Sequence, residues 1–252
     1  MKFSQGATQD NLSQEKLLSL SLSIPEDVND QRKIANYIAN YDNLININRR
    51  RIELLEESAR LLFREWFVYF RFPGHEKVKV VDGLPEGWKK KRLGNIGYLN
   101  YGKTLVEEMR EEGDIKVYGS SGVVGFHNKA IVEGPGIIVG RKGNVGATYW
   151  INDNYWPIDT VYYIKKEHAN LFLYLSLKTI GFVNTDASVP GLNRDYAHSK
   201  TILIPTENLL RMFLAQANDI YTMIKVLTDQ NQKLARARDL FLPRLMSGEI
   251  EV

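Results

Sequence analysis

The chain has 252 residues, room for one large domain or two small ones, and its 44% hydrophobic and 25% charged content suits a soluble globular protein. The absence of cysteine excludes disulfides and thiolate metal sites and fits a reducing cytoplasm, and His75, His127, His168 and His198 are too scattered for a metal cluster, so neither metal nor cofactor is expected. A net charge of +3 is too mild to name nucleic acid unaided, while the polar start after Met1 and the lack of a long apolar run predict neither a signal peptide nor a membrane span.

The chain opens on "GATQDNLSQEKLLSLSLSIPEDV", residues 6 to 28, and repeats the pattern as "DASVPGLNRDYAHSKTILIPTEN", residues 186 to 208. At an offset of 180, Ala7 matches Ala187, Leu12 matches Leu192, and Ile24-Pro25 matches Ile204-Pro205. Each copy predicts an alternating apolar strand, through Leu18, Leu20, Leu22 and Ile24 in the first, that stops at a proline and leads into a helix. Residues 1–25 thus read as the tail of a preceding domain.

Residues 26–72 predict a first long helix. Its core candidates are Ile34, Ile38, Tyr41, Ile45, Asn48, Ile52, Leu55, Ala59, Leu62, Trp66 and Tyr69, in steps of four and three that make a heptad seam. Asn48 is its one polar member, a substitution that fixes register in coiled coils. The stretch "RFPGHEKVKVVDGLPEGW" follows, rich in turn formers and without helical period, and places a linker at 73–87.

From 88 to 205 the text changes to short apolar runs cut by glycine, "GIIVG", "GATYWI" and "DTVYYIKK", with one helix at "ANLFLYLSLKTIG". The prediction is an α+β domain with its own core. Inside it, "VGRKGNVGATYW" sets Arg141, Lys142 and Asn144 among Gly140, Gly143 and Gly146, a tight cationic turn that suits phosphate or equally an ordinary basic β-turn with no ligand. In "SVPGLNRDY", Asn193 and Arg194 are residue types that read base edges, or else a helix cap and a solvated charge. Lys89, Lys90, Lys91 and Arg92, with Lys103 beyond and Tyr98 and Tyr101 alongside, form either a nucleic-acid edge or a solvated face. No nucleotide P-loop, nucleophile elbow or zinc-protease motif is present, and the lone Asp159 reads as structural, so no catalytic residue is assigned and the chain reads as a binder.

Residues 206–252 predict the second long helix and a tail, with a seam through Leu210, Phe213, Ala217, Ile220, Ile224, Leu227, Asn231 and Leu234, then Phe241 after a break at Arg238. Both helices carry Ala-Arg-x-Leu-Phe near their ends, at Ala59 to Phe63 and Ala237 to Phe241. An amphipathic helix this long needs a partner for its apolar stripe. That partner is the other helix, in an antiparallel pair, or else each helix's own domain.

These landmarks together resemble the specificity subunit of type I restriction-modification systems. The likeness runs through "LPEGWKKKRLGNIG", "IIVGRKGNVG", "WPIDTVYYI", "SVPGLNRDYAHSKTILIPT", "LLFREWFVYFRFPG" and "LFLPRLMSGEIEV", and so covers essentially the whole chain. The resemblance implies one globular target recognition domain, a mixed β-sheet with helices at 88–205, flanked by two long antiparallel coiled-coil helices. It implies a cytoplasmic, non-catalytic subunit that reads half of a double-stranded DNA site and docks modification methyltransferase subunits, with a restriction subunit joining indirectly. A full member has a further recognition domain before residue 6, so this chain reads as a half-length form able to self-associate into a homodimer. Under this reading Lys89, Lys90, Lys91, Lys103 and Lys142 hold phosphates, and Arg141, Asn144, Asn193 and Arg194 read bases. Ile38, Ile45, Asn48, Ile52 and Leu55 pair with Ile220, Ile224, Leu227, Asn231 and Leu234, and helices of about 40 residues, roughly 60 Å long, space the half-sites. The alternative is a coiled-coil adaptor that binds protein alone.

Overall fold

The structure is a computed structural model that describes residues 13–19, 24–184 and 191–250. It opens on a short helix, α1 (Gln14–Leu18), followed by α2 (Val28–Phe67), 40 residues long. Strands β1 (Val80–Val81) and β2 (Leu84–Pro85) make a small hairpin, and β3 (Lys89–Arg92), β4 (Asn100–Tyr101), β5 (Ile115–Gly119) and β6 (Gly122–His127) follow. Then come β7 (Gly136–Gly140), β8 (Thr148–Ile151), β9 (Tyr155–Pro157), β10 (Val161–Ile164) and α3 (Leu171–Ile180). The chain closes with α4 (Arg194–Ser199), β11 (Thr201–Ile204) and α5 (Glu207–Met246), again 40 residues. The architecture is mixed α+β, and no helix among the described residues is long and apolar enough to cross a membrane.

Two compact units are present: the described residues up to Ile52 together with those from Val226 onward, and Glu53–Lys225. In the first, α2 and α5 run antiparallel, because partners climb one helix as they descend the other. Tyr41 meets Phe241 (ring centroids 6.4 Å apart), Asp42 accepts from Arg238 Nη1 (2.6 Å), and Asn48 Nδ2 donates to Asn231 Oδ1 (3.1 Å). The break in the second seam at Arg238 therefore has a use, since its guanidinium forms a half-exposed ion pair with Asp42. Ile34, Ile45, Leu227 and Leu245 are buried, as the heptad spacing demands.

In the second unit, β4, β10, β7 and β8 form an antiparallel sheet whose central strands bury Ile137, Ile138, Val139, Val161 and Ile164 completely. These strands read as unbroken apolar runs because both faces are covered. A second sheet orders β6, β5 and β9, with the hairpin turn at Ser120-Ser121 between paired Gly119 and Gly122. Helix α3 starts where Asn170 Oδ1 accepts the Leu173 N–H (2.9 Å), and Leu171 to Leu177 are all buried. Strand β11 pairs with β3, so the domain's last strand closes on its first.

Several expectations change. Leu18 ends α1 rather than starting a strand; Leu20 and Leu22 lie outside the described residues, as do Ala7, Leu12, Ala187 and Ser188 of the repeat. At the 180-residue offset α1 begins where α4 begins, so the two copies share a helical turn. Tyr69, expected in the core seam, falls beyond the end of α2 and is exposed, with the Arg64 and Arg71 guanidiniums over its ring. The stretch assigned as a linker holds the β1–β2 hairpin. Most consequential, Phe63, Trp66 and Phe67 of α2 and Phe213 of α5 pack with Phe172 and Trp88, so both helices contribute to the core of the second unit. Phe67 lies 4.8 Å from Phe213 and 4.9 Å from Phe172, both edge-on, the arrangement aromatic quadrupoles favour.

Candidate nucleic-acid interface

The glycine-framed turn lies between β7 and β8. Gly140 is fully enclosed: a Cβ there would lie 2.1 Å from the Asn144 carbonyl oxygen, and its N–H donates to Ala147 O (2.7 Å). Gly143, at φ 73°, supplies the left-handed residue that turns the chain. The turn is anchored from both sides. The N–H groups of Arg141 and Lys142 both donate to Thr160 O, at 2.9 and 3.0 Å, and Arg141 O accepts from Leu192 N (2.8 Å). Lys142 also bridges to Gly191. The second cationic segment, 191–194, is thereby tied to the first.

That tie brings two side chains together. The Arg141 guanidinium lies over the Tyr101 ring at 5.1 Å and near Tyr162 at 5.9 Å, and its Nη1 donates to Asp159 O at 2.9 Å. The Arg194 guanidinium lies over the same Tyr101 ring at 4.8 Å and over Tyr98 at 5.4 Å. Tyr101 is 49% exposed and pairs across the strands with Tyr162, which is 1% exposed. The Tyr162 hydroxyl donates to Leu192 O (2.9 Å), and burial, reinforced by Tyr101, pushes its pKa up to about 12, so it stays a donor at neutral pH. A buried tyrosine thus holds up an exposed one, on which two arginines rest.

The other candidates separate. Asn193 caps α4: its Oδ1 accepts from the N–H groups of Asp195 (2.8 Å) and Tyr196 (3.0 Å), which commits the oxygen that a base contact needs. Asn144 is exposed on the turn, with its N–H directed to Ser120 Oγ (3.4 Å). Lys142 is exposed beside it. Lys103 lies over Trp156 at 5.9 Å, and its carbonyl accepts from that indole N–H, so it belongs with β9. Lys89, Lys90 and Lys91 are exposed on β3, where strand alternation turns Lys90 away from Lys89 and Lys91. Asp159, read as structural, serves the site through its carbonyl.

His198 lies beside Tyr98 (centroids 5.0 Å apart), and its Nε2 accepts the Leu99 N–H at 3.0 Å. Burial, then the nearby Arg194 charge, hold its pKa below the ordinary imidazole value, with Asp195 opposing. The reading of the sequence puts Tyr98 and Tyr101 beside the lysine run; their contacts are with the arginines, and no local spacing signals that.

A profile of the family described as the type I restriction modification DNA specificity domain matches residues 1–57 and 85–191, well over half of the chain. The chain belongs to that family. Arg141 and Lys142 fall inside the matched region and Arg194 beyond it. Relatives include the type I restriction enzyme MjaIX specificity subunit of Methanocaldococcus jannaschii, 24% identical over 99% of this chain, and the HindI specificity subunit of Haemophilus influenzae, 25% identical over 98%. The chain spans 65% of the first relative's length and 72% of the second's. A crystal structure of the type I restriction-modification system S subunit from M. genitalium shares the fold, with a TM-score of 0.65 at 20% identity over 96% of this chain and 67% of that one.

Proposed function

We propose that this chain is a DNA-reading, non-catalytic specificity subunit whose recognition domain, residues 88–205, engages one half-site. The observation that carries the reading is the convergence of Arg141 and Arg194 on Tyr101 in a family member. Two half-buried cations from separate segments that share one ring make a poor structural feature but a good ligand-facing one, because arginine offers planar forks of donors and no acceptor. Around them Lys142 and the β3 lysines supply sequence-independent phosphate contacts.

In this reading α2 and α5 act as a coiled-coil spacer, and methyltransferase subunits dock alongside. A restriction subunit joins through them. A second copy of the chain supplies the second half-site reader. Both long helices are 40 residues, about 60 Å, nearly two turns of duplex.

The test is an electrophoretic shift of random duplex DNA at 50 and 200 mM salt, with the full chain alone and with its methyltransferase subunit, followed by methylation mapping. The expected result is salt-sensitive duplex binding and methylation of a single split sequence. A chain that recruits protein but never duplex would be an adaptor instead.

A further inference from the structure

We propose that the recognition domain reads guanine, with the Arg141 and Arg194 forks directed at the N7 and O6 acceptors of the major groove and Tyr101 acting as the positioning residue for both. This rests on the DNA-reading function proposed above and adds the base class to it.

The two guanidiniums share one ring, and among the described residues neither forms an ion pair with a carboxylate. Two neighbouring cations that form no carboxylate ion pair suit a ligand edge made of acceptors. Arginine donates and never accepts. In the major groove adenine offers one acceptor and one donor, cytosine a donor, thymine one acceptor and a methyl group; guanine alone offers two adjacent acceptors. Of the two asparagines at the site, Asn193 has its Oδ1 accepting from Asp195 and Tyr196, which removes the acceptor half of a bidentate adenine contact there; Asn144 is exposed, and the guanine assignment concerns the two arginine forks alone.

A phosphate also presents only acceptors. The anchoring favours a base. Arg141 is half-buried, lies over Tyr101 and is tied by Nη1 to Asp159 O, so its guanidinium is held in place with donors left over. A phosphate contact fixes register without reading sequence, whereas discrimination between base edges depends on a fork held in place. The Tyr162 hydroxyl bond to Leu192 O fixes the platform in turn, since Leu192 N is bound to Arg141 O.

The experiment starts from duplexes selected out of a random pool by the full chain with its methyltransferase subunit. Each guanine of the selected half-site is then replaced by 7-deazaguanine, which lacks N7. At least one replacement should weaken binding about tenfold or more. Arg141→Ala or Arg194→Ala should lower affinity for the natural duplex and abolish the sensitivity to deazaguanine. Tyr101→Ala should blunt sensitivity at both arginines, and Tyr101→Phe, which keeps the ring, should restore it. Selective binding that is indifferent to every deazaguanine overturns the proposal and leaves the DNA-reading function standing. So does a pattern in which a neutral methylphosphonate at one phosphate, rather than a base change, reproduces the arginine losses. Failure to select any duplex overturns both.

Discussion

Asn48 and Asn231 join their side chains across α2 and α5, amide nitrogen to carbonyl oxygen at 3.1 Å, and Asn231 Nδ2 reaches on to the Ile45 carbonyl at 3.3 Å. Both are the polar members of apolar heptad seams, and each faces the other. A shift of one helix by a heptad would set Asn48 against Ile224 or Arg238 and Asn231 against Tyr41 or Leu55, so the pair selects one register.

The first prediction follows from that pair. Asn48→Leu leaves Asn231 Oδ1 without its donor in a mostly apolar seam and should cost about 1–3 kcal/mol in denaturant unfolding. The double change Asn48→Leu/Asn231→Leu removes both polar groups and should recover most of that loss, with register less well specified. Additive losses in the double variant would show that the hydrogen bond does not couple the helices.

Phe213 carries the second. It is fully buried, with Phe67 at 4.8 Å, Trp66 at 5.9 Å and Phe63 at 6.0 Å. Phe213→Ala should destabilise the fold by about 3–5 kcal/mol, and Phe213→Leu by less, because leucine fills more of the cavity. The red shift of tryptophan fluorescence on unfolding reports on this cluster through the buried Trp66 and Trp88. An unchanged midpoint for the alanine variant would mean that the aromatic cluster is not the core of this unit.

The third concerns pH. His198 must be neutral at Nε2 to accept from Leu99 N–H, and burial with the Arg194 charge lowers its folded pKa. A lowered folded pKa means that the unfolded chain binds the proton more readily. The contribution of His198 is therefore complete above the unfolded value, about 6.5, and is lost as pH falls through the folded one. Thermal unfolding between pH 8 and pH 5 should show stability falling below about pH 6.5, with a shallower fall in His198→Gln. An NMR titration placing the ring's pKa above that of a free histidine would contradict the argument.

Strand alternation supports the fourth. On β3, Lys89 and Lys91 lie opposite Ile204 and Ile202, while Lys90 and Arg92 lie opposite Leu203 and Thr201. The two pairs occupy opposite faces, and a duplex lying on one face meets one pair. Neutralising that pair should flatten the salt dependence of DNA binding by about two units on a log–log plot, and neutralising the other should change it little. Equal effects from Lys89→Ser/Lys91→Ser and Lys90→Ser/Arg92→Ser would argue for diffuse attraction rather than a docked strand.

Much of this was legible in residue order. The steps of four and three in both helices foretold Ile45, Asn48, Leu227 and Asn231 as inward positions, and the run "ANLFLYLSLKTIG" foretold α3. The spacing of Gly140, Gly143 and Gly146 foretold a turn between strands. Periodicity did not reveal that the outer ends of the helices turn from pairing to a globular core. Phe63 and Phe67 stand one position off the heptad seam, and their partners, Phe172 and Phe213, come more than a hundred residues later.

Local pattern alone determined the two long amphipathic helices, the short strands between them and the glycine-framed turn, because helical and strand periods are set by neighbours a few residues apart. Which cations stand together was settled by closure of the domain. The β4–β10 register sets Tyr101 beside Tyr162, the Leu192 backbone is pinned to Arg141, and the Asn193 cap starts α4 at Arg194. Those contacts join segments with no shared period, so the meeting of Arg141 and Arg194 over one ring exists only once the chain has folded.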